Sequence, residues 1–234
     1  MRLSAPIYLL KRRAKLLARQ NGIPLHKALN QVAVQEGFRS WSLLASSIQS
    51  PSRSILTNLN SGDLVLLAAR PGHGKTLLGL ELASKAEEIN RKGYFFTLDY
   101  HERDIARQFE TLGIHPSAQM AVVINTSDDI STSYIIEQLK YEREPTIIVI
   151  DYLQLLDQKR SNPCLSDQIK SLKRYVLDNG SVCAVISQID RRFDMEDKSM
   201  PGMSDVRLPN PLDLNAFNKA FFLHNGAIQM VQAA

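Results

Sequence analysis

Apolar and polar residues follow two rhythms along this chain. Short, nearly continuous apolar runs recur at 64–68 (LVLLA), 93–98 (GYFFTL), 121–124 (AVVI), 146–150 (TIIVI) and 181–186 (SVCAVI). Bounded by turn residues and rich in β-branched and aromatic side chains, these runs predict buried strands. Between them, apolar residues fall at helical spacing from residue 77 to about 90, then over 102–112, 131–140 and 165–177. Helices alternating with short buried strands predict an α/β fold with a mostly parallel sheet covered by helices on both faces. Later, 219–224 and 227–231 flank Asn225-Gly226, a dipeptide that favours a two-residue hairpin turn. They predict a pair of edge strands.

The first 50 residues read differently. A basic amphipathic helix over 5–20 aligns Ile7, Leu10, Ala14 and Leu17, and Asn21-Gly22 ends it. Pro24 opens a second helix carrying Leu25, Ala28, Leu29, Val32 and Ala33, which stops at Gly37. Ser40 caps a short third helix with Trp41, Leu43 and Leu44. The expected organisation is a small basic helical unit over 1–50, a linker at 47–54 (SIQSPSRS), and a larger α/β domain over 55–234. The stretch IPLHKALNQVAVQEGFRSWSLL is similar to a short helical segment found beside unrelated bacterial domains, which implies no particular activity. Trp41 reads as a core residue, although a helix-turn-helix reading stays open.

Charge sharpens the contrast. The net charge of +4 conceals nine basic residues against Glu36 alone in residues 1–60, and 19 basic against 23 acidic in the rest. Such a basic end suits the phosphate backbone of single- or double-stranded DNA, an acidic partner, or a solvated face. No apolar run approaches the length of a membrane span. The N-terminal charge follows its short apolar patch instead of preceding it, unlike a signal peptide. Cys164 and Cys183 read as reduced packing residues, so the expected setting is cytoplasmic and away from membranes.

Candidate chemistry concentrates at Ala69-Arg70-Pro71-Gly72-His73-Gly74-Lys75-Thr76, between a strand and a helix. That context is the one a phosphate-binding loop requires. Backbone N–H groups and the positive end of the helix converge on phosphate oxygens. Lys75 then neutralises the β- and γ-phosphates and the Thr76 hydroxyl ligates magnesium, so ATP and Mg²⁺ are the expected ligands. Ala69 stands where the loop pattern has its first glycine, and its methyl is tolerated if the backbone stays in the β or α region.

Two further strand ends carry polar groups. Asp151 closes the 146–150 strand, expected beside the strand that feeds the loop. Its carboxylate either faces the Thr76–magnesium site or caps the next helix. Ser187-Gln188 ends the next strand on the same rim, where ligands bind in such sheets. Gln188 either reads the γ-phosphate and the attacking water or is a solvated loop residue. Asp99 is the candidate base that polarises water, with Glu102 as its substitute. Asp99 is one methylene shorter than a glutamate, and a misplacement of roughly 1 Å costs on the order of a hundredfold in rate.

The ordered set ARPGHGKT (69–76), FTLDY (96–100), IVIDYLQLL (148–156), LSDQIKSLKRYVLDNGSVCAVISQIDRR (165–192) and MSDVR (203–207) resembles the RecA-type ATPase domain of replicative DNA helicases of the bacterial DnaB class. More distantly it is similar to RecA and KaiC proteins. The resemblance covers roughly 55–231 and implies a RecA-like P-loop NTPase. By its motifs, Lys75 and Thr76 bind ATP and magnesium, Asp151 supports the metal, Gln188 senses nucleotide, and the catalytic glutamate falls at Asp99. It also implies a homo-oligomer with sites at subunit boundaries. MSDVRLPN (203–210) departs from the family's MSDLRESG, and the Lys-x-Arg-x-Gly segment that supplies an arginine finger has no counterpart before Ala234. Arg191, Arg192 and Arg207 are the nearby replacements. Two functions remain open: an ATP-hydrolysing, DNA-helicase-like protein acting in a DNA transaction, or a nucleotide-dependent regulatory or DNA-binding protein with little turnover.

Overall fold

The computed structural model describes residues 3–5, 7–47, 51–112, 114, 122–196, 198–208 and 210–232. The chain divides into two compact units, Met1–Ser54 with Asn225–Ala227, and Ile55–His224 with Ile228–Ala234.

The first unit contains α1 (Ile7–Asn21), α2 (Leu25–Gln35) and α3 (Trp41–Ser47). Leu10 and Ala14 of α1 bury against Ala28, Val32 and Ala33 of α2 and Leu44 of α3, and Trp41 packs on the same small core. The Leu43 N–H donates to Ser40 Oγ at 3.3 Å, capping α3. A fourth helix, α4 (Pro51–Leu56), occupies part of the stretch whose composition predicts a linker. Pro51 opens it, a position where the missing N–H costs nothing. Residues 48–50 of that linker lie outside the described residues.

The second unit runs β1 (Leu64–Ala69), α5 (Lys75–Ser84), β2 (Lys92–Thr97), α6 (Glu102–Leu112), β3 (Val122–Asn125), α7 (Thr132–Leu139), β4 (Thr146–Asp151), α8 (Leu165–Asp178), β5 (Val182–Gln188), β6 (Lys219–His224) and β7 (Ala227–Gln232). Ala121, expected to open the third strand, lies outside the described residues. The helix after the loop stops at Ser84, and a 3-10 turn, Ala86–Ile89, completes the connection to β2. The strands form one seven-stranded sheet in the order β3-β2-β4-β5-β1-β6-β7. Pairings from β3 through β6 are parallel. Asn225 (φ 47°) and Gly226 (φ 78°) then turn the chain into β7.

Both faces of the sheet are covered, and the alternation of side chains along β1 accounts for the two cores. Leu64, Leu66 and Ala68 join the cluster that includes Ile135 of α7 and Leu165, Ile169, Leu172 and Val176 of α8. Val65, Leu67 and Ala69 join the other, with Leu78, Leu80 and Leu82 of α5 and Ile105 and Phe109 of α6. This three-layer arrangement is the RecA-like P-loop architecture that the sequence predicts, and the chain also has the predicted N-terminal helical unit.

Two expectations about strand order need correction. β4 does not lie beside β1, because β5 inserts between them and pairs with both. β6 is not an edge strand, since it pairs in parallel with β1 on its other side and only β7 closes that edge. The central strands are all buried apolar runs, so their order is set by mutual pairing and helix packing. Cys183 is buried in β5 as expected, whereas Cys164 is exposed at the start of α8, where its thiol meets Ser166 Oγ and Asp167 Oδ2.

Candidate nucleotide-binding site

β1 is buried along its length and ends at Ala69, from which the chain turns through Arg70-Pro71-Gly72-His73-Gly74 into α5. Gly72 and Gly74 both have φ of 81°, a left-handed conformation that disfavours any residue with a Cβ. Gly74 is the N-cap of α5 and no side-chain hydrogen bond caps that helix. Its first-turn N–H groups and positive dipole end therefore meet no capping side chain. Pro71 and Gly72 are exposed, while Arg70, His73, Gly74, Lys75 and Thr76 are half-buried.

α5 lies close against the sheet because Gly79 has no side chain. A Cβ there would stand 2.8 Å from Ile186 Cδ1 of β5 and 3.0 Å from Val149 Cγ1 of β4. This close seat carries Thr76 to Asp151 over the intervening strand β5. The Thr76 hydroxyl faces the Asp151 carboxylate, and both it and the Lys75 ammonium are close enough to favour its ionised form. Asp151 is 1% exposed, and burial outweighs both effects, pushing its carboxyl up to about 6, with the Asp99 charge adding to the rise. Its Oδ2 atom is buried without a protein partner, as is Ser187 Oγ on the next strand. A buried anionic oxygen left unpaired is costly, and a cation placed against it removes the penalty.

Asp99 lies two residues beyond Thr97, which is in register with Asp151, so both carboxylates reach the same rim. Asp99 is exposed, and its N–H donates to Thr97 Oγ1 at 3.2 Å. Glu102 begins α6, and its side chain lies outside the described residues. Gln188 ends β5 in register with Ala69 and is half-buried. Arg207 donates its N–H to the Gln188 carbonyl at 2.8 Å and approaches Gln188 Oε1 at 3.5 Å through Nη1. Arg192 pairs with Asp190, and Arg191 is exposed.

Two loop residues behave unlike phosphate ligands. Arg70 turns sideways, giving Nε and Nη2 to the Asp194 carboxylate at 3.0 and 2.6 Å and Nη1 to the Ile189 carbonyl at 3.0 Å. His73 stacks on His224, with ring centroids 5.1 Å apart and planes at 11°, and Phe193 meets His224 edge-on. Desolvation, then the neighbouring His224 and Arg70, lower the His73 pKa, opposed by Asp194. Sequence reasoning missed Asp194, Phe193 and His224, because no local pattern links them to a loop more than a hundred residues earlier.

Among the described residues, no group of three or more His, Cys, Asp or Glu side chains could hold a metal ion. Nor is any helix long and apolar enough to cross a membrane. A Thr76–Asp151 pair with one orphaned carboxylate oxygen still fits magnesium, which takes one or two protein ligands and completes its shell with phosphates and water.

The sequence profile described as "DnaB-like helicase C terminal domain" matches residues 113–224. The replicative DNA helicase DnaB of Mycoplasma genitalium is 26% identical over 199 residues, covering 70% of this chain and 42% of the relative. That of Geobacillus stearothermophilus is 25% identical over 192 residues, covering 68% and 42%. Together these sequence matches support a DnaB-like, RecA-type ATPase domain. The chain spans less than half the length of these curated relatives. Its fold matches a solved structure described as an ATPase domain with a TM-score of 0.57 at 20% identity, covering 79% of this chain and 80% of that one. A DnaB-like replicative helicase studied with primase matches with a TM-score of 0.56 at 19% identity, over 92% of this chain and 66% of that one. These structural matches concern the fold.

Proposed function

We propose that this DnaB-like domain binds ATP with magnesium at the loop 69–76 and hydrolyses the nucleotide in a DNA transaction. The observation that carries the reading is the buried Asp151 carboxylate, which faces Thr76 and has its Oδ2 atom without a protein partner. In this reading Lys75 sets its charge against the β- and γ-phosphates, while the N–H groups of the loop and of the first turn of α5 cradle their oxygens. Thr76 and Asp151 hold the ion, whose chemistry is to draw charge from the phosphoryl oxygens. Gln188, at the end of the strand between β1 and β4, senses the γ-phosphate. Asp99 holds a water by hydrogen bonding, with Glu102 as the alternative.

The DNA part of the reading rests on the names of the relatives and on the charge of the first unit. Lys11, Lys15 and Arg19 are exposed at i, i+4 and i+8 on α1, beside exposed Arg12. None of them enters an ion pair among the described residues, and the one nearby acid, Glu36, accepts hydrogen bonds from Ser4. A homo-oligomer sharing sites between subunits, with Arg191, Arg192 or Arg207 contributing across the boundary, belongs to the same proposal.

Titration calorimetry with Mg–ATP tests the site. Lys75→Ala should lose most of the affinity of the parent, and equal binding by both proteins sinks the assignment. A second reading is a nucleotide-dependent regulatory protein with little turnover. It is favoured by Asp99, exposed and shorter than the glutamate the resemblance implies. Steady-state ATP hydrolysis, with and without single-stranded DNA, separates the two readings.

A further inference from the structure

The chain leaving β5 forms a short 3-10 turn, Arg191–Met195, whose Arg192 N–H is held by Asp190 Oδ1 at 2.9 Å. Two consecutive residues of this turn support opposite sides of the phosphate loop. Asp194 takes the guanidinium of Arg70, the first loop residue, through both carboxylate oxygens. Phe193, buried at 3% exposure, meets His224 edge-on, and His224 lies flat on His73 near the far end of the loop. The backbone adds a third tie, since the Ile189 N–H donates to the Ala69 carbonyl at 3.0 Å and Arg70 Nη1 returns to the Ile189 carbonyl.

The geometry explains why an arginine stands beside a phosphate site without serving as a phosphate ligand. Three of its nitrogens are committed to Asp194 and Ile189, and the Asp194 carboxylate neutralises its charge. A planar fork bound bidentately fixes orientation as well as distance, which a lysine at the same position cannot do. The Asp194 side chain is 50% exposed, so its replacement leaves no cavity, and Arg70, 20% exposed, keeps its bond to the Ile189 carbonyl. Its contribution therefore concerns the shape of the loop more than the stability of the fold.

We propose that Asp194 is a positioning residue for the phosphate loop, acting through Arg70. This rests on the reading that the loop binds nucleotide. Mg–ATP binding by the full chain is to be measured calorimetrically alongside thermal melting without nucleotide. Asp194→Asn should weaken binding about three- to tenfold, the range for a partly exposed charged pair with good geometry. Its melting temperature should stay within about 3 °C of the parent. Asp194→Glu should recover most of the affinity, and Arg70→Lys should lose as much as Asp194→Asn. The double variant Arg70→Lys/Asp194→Asn should bind no worse than either single one, because both break the same contact. Parent-like affinity in Asp194→Asn overturns the proposal, and so does an affinity loss matched by a large fall in melting temperature. Absence of Mg–ATP binding by the parent itself overturns the nucleotide reading beneath it, which separates the two failures.

Discussion

Gly79 offers a stringent test of how the site is seated. Replacing it with alanine gains about 0.8–1 kcal/mol of helix propensity. Against that, the new methyl would stand 2.8 Å from Ile186 Cδ1, 3.0 Å from Val149 Cγ1 and 3.3 Å from Phe95 Cε2, all in a buried core. Overpacking of this kind costs about 1–3 kcal/mol. The balance predicts a net loss of about 0–2 kcal/mol, or up to roughly 8 °C in melting temperature for a domain of this size. Ile186→Val removes the closest contacting atom and by itself costs about 0.5–1.5 kcal/mol. The double variant should lose less than the sum of the singles by about 1 kcal/mol, because the two changes meet at one contact. Chemical denaturation of the four proteins supplies the cycle. Mg–ATP affinity should follow it, falling in Gly79→Ala and recovering in the double variant, since Lys75 and Thr76 ride on the same helix. Additive losses, or a Gly79→Ala protein more stable than the parent, would refute this account of the helix seat.

Three other outcomes follow from particular contacts. Burial raises the Asp151 carboxyl from 3.8 to about 6, so in the metal-free protein the protonated form favours the fold; that stability is present below about pH 4 and lost as pH rises through 6. Asp151→Asn should remove this slope and stabilise the metal-free protein at pH 8 by on the order of 2–3 kcal/mol, read by melting in a chelator, while abolishing magnesium-dependent nucleotide binding. Lys219 Nζ bridges Asp63 Oδ2 at 2.5 Å and the Asn58 carbonyl at 2.6 Å, with both charged residues buried. Lys219→Met should cost about 3–5 kcal/mol in urea denaturation by stranding Asp63, and Lys219→Met/Asp63→Asn should cost less. On α1, replacing Lys11, Lys15 and Arg19 with alanine should weaken DNA binding without changing sequence preference and should flatten its salt dependence, as followed by fluorescence anisotropy.

The sequence by itself determined much of the local structure, including the turn and helix start of the candidate phosphate loop. Gly72, Gly74, Lys75 and Thr76 encode a tight turn and a helix start within a handful of positions, and Asn225-Gly226 encodes its hairpin in two. Strand and helix periods are likewise written in neighbouring residues, so β1, α6 and α8 were legible nearly to their ends. Only the tertiary structure decided the order of the strands. β1, β4 and β5 are interchangeable as apolar runs, and β5 takes the centre because its edges satisfy both partners at once. The same holds for side chains that meet across the fold. Nothing near Arg70 announces a partner 124 residues away at Asp194, nor does anything near His73 announce His224. Those contacts exist because β5 and β6 flank β1 and end on its rim. Local sequence specifies what each element is, but the pairing of surfaces distant in the chain specifies which side chains meet.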